Sequence, residues 1–136
     1  MKKFFSTQYS EGAFNIAVLA LRVVFGLFLL LIHGMDKITH FSKYEYTFFD
    51  FAHIGHRWSL VLCIFAEVFC AGLVVLGVFT RFAALVLVVN FSVAAFLALK
   101  GQSLEIHQVA LCYLTAFFAL LLTGPGRFSV DGAMGK

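Results

Sequence analysis

Arg22, His33 and Glu67 stand within or at the edge of long apolar runs, where a charged or titratable side chain needs a physical reason. Arg22 or Glu67 alone would cost about 2.5–3.5 kcal/mol at the centre of a bilayer on insertion scales. An opposite charge would supply the reason, because a guanidinium fork and a carboxylate make a charge-assisted pair. If the first two apolar runs are antiparallel helices, Arg22 lies ~12 Å and Glu67 ~18 Å from the same end, close enough for their side chains to meet. The spacing therefore predicts an Arg22–Glu67 contact. Gly26, one turn after Arg22, would give the site room for close approach. A plainer alternative is that the pair only fixes helix register, since buried ion pairs are weak stabilisers.

His33 follows Arg22 by eleven residues, about 1100° of helix, which returns it to within about 20° of the same meridian. At that end of the chain's fold it is expected to meet Lys100, Glu105 and His107, with His53 and His56 nearby. Such a mouth of polar groups, continuing inward to Glu67 and Arg22, describes a cavity opening outward. Individually, His53, His56 and Lys100 are better explained as interfacial side chains in the headgroups, His33 being the exception because its stripe points at Arg22. No pair of ligand residues has a diagnostic spacing such as HExxH or CxxC, so a metal centre is the minority reading, with His33, His107, Glu67 and Cys63 as the residues that could supply mixed ligands. Cys63, Cys70 and Cys112 all lie in apolar runs, where free cysteine packs as a small apolar group. Cys63 and Cys70 are ~10.5 Å apart along a helix, beyond disulfide reach, whereas Cys63 and Cys112 have matched depths and could form a redox pair. Asn90 reads as an interhelical hydrogen-bonding residue. Neither a phosphate-binding glycine loop nor a locally supported Ser/His/Asp arrangement is present.

The elements that must position these residues follow from the apolar runs. Crossing ~30 Å of hydrocarbon takes about 20 residues of helix. Four runs approach this length, at 14–35, 58–79, 82–99 and 106–123. The chain is thus expected to be all-α, a single integral membrane four-helix bundle spanning 1–136. The connection from Asp36 to Arg57 carries a further amphipathic stretch, with Tyr44, Phe48, Phe51 and Ala52 on one face and Tyr46, Asp50 and His53 on the other, which predicts an interfacial helix over Tyr44–Ile54 between spans one and two. The Met-Lys-Lys start leads into an apolar run too long for a signal-peptide core, so the segment is expected to be retained.

Composition agrees: 62% of the 136 residues are hydrophobic, 12% are charged, and mean hydropathy is +0.96. Eighteen Phe and one Pro exclude disordered, collagenous and disulfide-stapled classes. A net charge of +3 without a basic run disfavours nucleic acid as a partner. An even number of spans places both termini on one side. Lys2, Lys3, Arg81, Arg127 and Lys136 there face Lys37, Lys43, Arg57 and Lys100 on the other, a small excess that points to cytoplasmic termini.

These residues together resemble the DoxX-like family of small membrane proteins. Arg22 with Gly26, then His33-Gly34 and Lys37, is similar to its first-helix signature. Glu67, Gly72, Gly77 and Thr80-Arg81 are similar to its acidic second span, and LTGPGRFSVD (Leu122 to Asp131) resembles its closing GPGRYSLD motif. The resemblance covers Leu21 to Asp131; the connection, rich in His and aromatic residues, departs from it. What it implies is a four-helix bundle in a bacterial inner membrane, with relatives named for a subunit of a thiosulfate:quinone oxidoreductase and others linked to thiol-redox or oxidative-stress assemblies.

Two functions from different classes fit. The first is a redox-associated subunit holding a quinone or similar hydrophobic carrier near Arg22, Glu67 and His33. Phe-rich walls, a hydrogen-bond donor and a proton route are what a quinone needs. No intrinsic cofactor is expected; flavin, haem or iron–sulfur groups would belong to a redox partner subunit, which makes this chain an accessory rather than a stand-alone catalyst. The second is a non-enzymatic protein that binds or transports a small solute, metal or lipid, or acts as a scaffold. The bilayer is a partner in either case, and a homo-oligomer is compatible with both.

Overall fold

The structure is a computed structural model that describes residues 5–46, 48–50, 53–98, 101 and 103–135. Lys100, Phe51, Ala52 and the terminal lysines Lys2, Lys3 and Lys136 lie outside the described residues. All regular structure among the described residues is helical.

Helix α1 runs from Glu11 to Thr39. Ser10 starts it, in extended backbone, by accepting a hydrogen bond from the Ala13 N–H at 3.1 Å, and Glu11 places a carboxylate in the first turn, where the helix dipole favours it. A short helix α2, Phe41–Tyr44, follows. Helix α3 spans His56–Leu76. Helix α4 comprises Thr80–Val93 and the π-helical turn Ala94–Ala98 that continues it. Helix α5 is Leu104–Thr123, and a single turn, α6, is Val130–Ala133. Three helices are long and apolar enough to cross a membrane, and a shorter apolar stretch, His107–Thr123, lies within α5.

The four long helices pack in a ring in which α1 touches α3 and α5, and α4 touches α3 and α5. Small residues let the backbones approach where lipid provides no hydrophobic drive for association: Ala66, Cys70 and Ala71 of α3, Ala83, Ala84 and Ala95 of α4, and Ala110 and Ala116 of α5 are all buried. Larger groups fill the centre. The rings of Phe91, Tyr113 and Phe117 stack nearly parallel, with Phe91 and Tyr113 centroids 5.1 Å apart and their planes at 15°. Outward faces carry Ile16, Phe28, Leu31, Phe69, Leu85 and Phe118, as lipid contact requires.

Two differences from the sequence expectation bear on the site. The first concerns the connection: its helix is Phe41–Tyr44, and the described residues from Glu45 to Ile54 form turns and irregular chain rather than continuing it. Local hydrogen bonding competes there. Asp50 Oδ1 accepts from the Gly55 N–H at 2.8 Å, His56 bonds the Phe48 carbonyl, and His53 takes a φ of 60°, which a helix excludes. The second concerns the end of α3. Gly77, at φ 77°, closes the helix at Leu76: the Val78 N–H returns to the Leu73 carbonyl at 2.9 Å and the Gly77 N–H to Val74 at 3.1 Å, a Schellman arrangement.

Candidate functional site

Arg22 is 2% exposed, and it does not pair with Glu67. Its guanidinium donates to four backbone carbonyls instead: Val74 at 3.1 Å and Val75 at 3.2 Å in the last turn of α3, and Pro125 at 2.7 Å and Phe128 at 2.8 Å in the segment after α5. The expected contact fails because of register. Gly26 lies against Ala71 and Val75, and Gly34 against Glu67 and Val68, so Glu67 is level with Gly34, twelve residues or ~18 Å beyond Arg22. What lies level with Arg22 is the end of α3, where helix carbonyls have no intrahelical partner and a cation is favoured by the dipole. Gly26 provides the predicted close approach, but to α3 backbone rather than to a ligand: a Cβ there would fall 3.3 Å from the Ala71 carbonyl oxygen.

Glu67 pairs with Lys37, Oε2 to Nζ at 2.7 Å, and its other oxygen accepts from the Cys63 thiol at 3.3 Å. Both charged side chains are well covered, the carboxylate almost wholly. Glu67 lies in a π-helical turn, Phe65–Cys70, and His33 in another, Leu29–Gly34, and the two turns pack together. Such turns widen a helix by one residue and recur at functional positions. Gly34 makes the approach possible: a Cβ there would sit 3.2 Å from the Glu67 carbonyl oxygen. Asp36, next to Lys37 in sequence, accepts from the Tyr44 hydroxyl at 3.0 Å; that bond raises the Tyr44 phenol above its ordinary pKa.

On its far side Cys63 borders a cavity of about 300 Å³ between α3 and α4. Its walls are apolar, from Leu62, Phe65, Val86, Val89 and Val93, and Phe48 and Phe49 of the connection close one end. Asn90 lies beside Cys63 on this wall with its amide against the sulfur, and its buried Nδ2 has no nitrogen or oxygen acceptor among the described residues. A buried amide donor without an acceptor is costly, which marks the place where an acceptor fits.

The expected polar column therefore divides in two. Arg22 and Gly26 belong to the terminal end of the bundle, while His33 and Glu67 share the opposite half. His33 is half-buried, with its ring edge-on to Tyr113 at 5.4 Å. His107 bonds the carbonyl of Ser103, the N-cap of its own helix, and Glu105 is exposed. Among the described residues no three His, Cys, Asp or Glu side chains are grouped as metal ligands. Cys112, exposed, borders a groove between α1 and α5 and not the cavity of Cys63; all three cysteines are free. Sequence reasoning missed Lys37 as the partner of Glu67, although its place four residues after His33 puts it on the same face. It also missed Asn15 and Asp131, whose side chains accept from backbone N–H groups of Arg127, Phe79 and Thr80, since a backbone donor leaves no trace in side-chain spacing.

A family model described as DoxX matches residues 17–100. No curated protein and no solved structure matches the chain.

Proposed function

The chain belongs to the DoxX family, and we propose that it is a redox-associated membrane subunit holding a quinone, or a similar hydrophobic electron carrier, in the cavity between α3 and α4. The observation that carries this reading is the Asn90 amide, beside the Cys63 sulfur and without an oxygen or nitrogen acceptor, on the wall of an otherwise apolar space. A quinone presents flat apolar ring faces to such walls and carbonyl oxygens that accept from an amide, and ~300 Å³ is the lower limit of small-molecule pockets. Behind Asn90 the Cys63–Glu67–Lys37 chain runs toward the connection and would carry protons to the carrier. Electrons would come from a partner subunit, with this chain as the accessory component. We orient the termini to the cytoplasm of a bacterial inner membrane; a reporter fused at Lys136 that is active only in the periplasm would reverse this.

Extraction and chromatography of lipids from the purified protein test the carrier directly. The parent is expected to retain quinone, and Asn90→Leu, which removes the donor but keeps the volume, to bind roughly tenfold less. A parent holding no more quinone than an unrelated membrane protein purified in the same detergent would overturn the reading. The non-enzymatic scaffold is favoured by one observation: Arg22, in the family's first-helix pattern, is wholly engaged by backbone carbonyls.

A further inference from the structure

At the terminal end of the bundle, away from the cavity of Cys63, a recess is lined by Phe79, Thr80, Arg81, Phe82, Pro125 and Asp131. One of its three polar side chains is already engaged. Asp131 turns one carboxylate oxygen to the Phe79 N–H and the other to the Thr80 N–H, both at 3.1 Å, so the start of α4 is capped from within the chain. Arg22 lies close enough to offset the charge of Asp131. Two groups remain. Arg81 is exposed, packs its guanidinium over Gly124, and makes no ion pair among the described residues. Thr80 is 1% exposed, and its Oγ1 has no hydrogen-bond partner among the described residues. Arg81 thus leaves the recess with one net positive charge, beside a buried hydroxyl that lacks an acceptor.

The residues flanking these groups are the Phe79 and Phe82 side chains, 57% and 58% exposed. A cation and a hydroxyl donor take a phosphate oxyanion, and two exposed rings at the end of a membrane span take the first carbons of an acyl chain. We propose that this recess is a binding site for an anionic phospholipid, its phosphate held by Arg81 and Thr80 and its glycerol end against Phe79 and Phe82. The aromatic flank, together with the position at the ends of the spans, selects a lipid over free phosphate. The site is independent of the carrier cavity and of which face of the membrane the termini occupy.

Native mass spectrometry of the full chain in mild detergent, titrated with phosphatidylglycerol, with phosphatidylcholine of the same acyl chains and with inorganic phosphate, tests it. The parent is expected to retain phosphatidylglycerol over phosphatidylcholine, and inorganic phosphate is expected not to displace it. Arg81→Gln should weaken phosphatidylglycerol binding about fivefold, the worth of one basic residue at a lipid surface, while Arg81→Lys keeps most of it. Thr80→Val should weaken it by a similar factor yet raise the thermal stability of the lipid-free protein, because it removes a buried unsatisfied hydroxyl. Equal retention of the two lipids by the parent, or unchanged retention by both Arg81→Gln and Thr80→Val in protein of parental circular dichroism, would overturn the site. Displacement of the lipid by inorganic phosphate would overturn the lipid as its occupant.

Discussion

Lys37 and Glu67 carry opposite charges held at 2.7 Å between α1 and α3, two helices long and apolar enough to cross a membrane. Neutralising one partner strands the other. Lys37→Met leaves a carboxylate whose second oxygen has only a thiol for company, and Glu67→Gln leaves an ammonium in a site built for a pair. Each single substitution should lower the unfolding free energy in detergent by about 3 kcal/mol. The double variant should recover most of that, because it leaves no unpaired buried charge, and the difference is the coupling that a double-mutant cycle reads. Additive losses would show that the two side chains act separately. Carrier retention distinguishes the proposed proton route from mere stability: the double variant should be stable and bind carrier, yet fail in partner-dependent turnover.

Among the elements, the contact of α1 with α3 decides where every polar group lies, and two glycines set it. A Cβ at Gly34 would meet Val68 Cγ2 at 2.7 Å and the Glu67 carbonyl oxygen at 3.2 Å, so one helix must move. Gly34→Ala is expected to cost about 1–3 kcal/mol, the range for overpacking, and to loosen the Lys37–Glu67 pair. Gly72, in α3 with nothing within 4 Å of its would-be Cβ, is the control: Gly72→Ala should be neutral or stabilising by about 0.5–1 kcal/mol, since it only restricts the unfolded chain and improves helix propensity. Thermal melts of the two variants side by side give the answer, and equal behaviour would mean that the helices do not pack by this register. Register is also where the sequence was hardest to read. Apolar runs locate spans because hydrocarbon demands length, and the bundle follows from them. They do not locate ends: Val78 and Phe79 are as apolar as Val74, and α3 nevertheless stops at Leu76 because Gly77 adopts a left-handed conformation. Taking the two helix ends as level put Glu67 beside Arg22, whereas α3 ends level with Arg22 itself, eleven residues after α1 begins, and the real register separates the pair. The amphipathic pattern of Tyr44–Ile54 misled for a related reason, since Asp50 and His56 bond to the backbone of a turn more readily than to a helix surface.

At the scale of the whole molecule, one short segment ties all four spans. Following directly from α5, residues 124–131 pass beneath the bundle. The Arg127 N–H donates to Asn15 of α1 at 3.1 Å, Pro125 and Phe128 accept from Arg22, the Asp131 N–H donates to the Gly77 carbonyl at the end of α3 at 2.9 Å, and the Asp131 carboxylate caps α4. The closing motif that was legible as a family likeness is thus a latch, and Arg22 is its central pin. Its chemistry was invisible in the sequence because nearly all of the partners are main-chain atoms, which every residue possesses. A latch of this kind should fail as a unit. Arg22→Met removes donors from two carbonyls of the segment and two of α3, and is expected to cost about 3 kcal/mol. Asp131→Asn keeps the shape but turns an amide N–H toward one of the two backbone donors at the start of α4, and is expected to cost about 1–3 kcal/mol. If the segment detaches once either contact is lost, the second substitution finds little left to break, and the double variant should be less destabilised than the sum by about 1 kcal/mol or more. Chemical unfolding of the four proteins in one detergent measures this. Strict additivity would mean that Arg22 and Asp131 fasten separate corners of the bundle, with α1 and α4 held independently rather than through one strap.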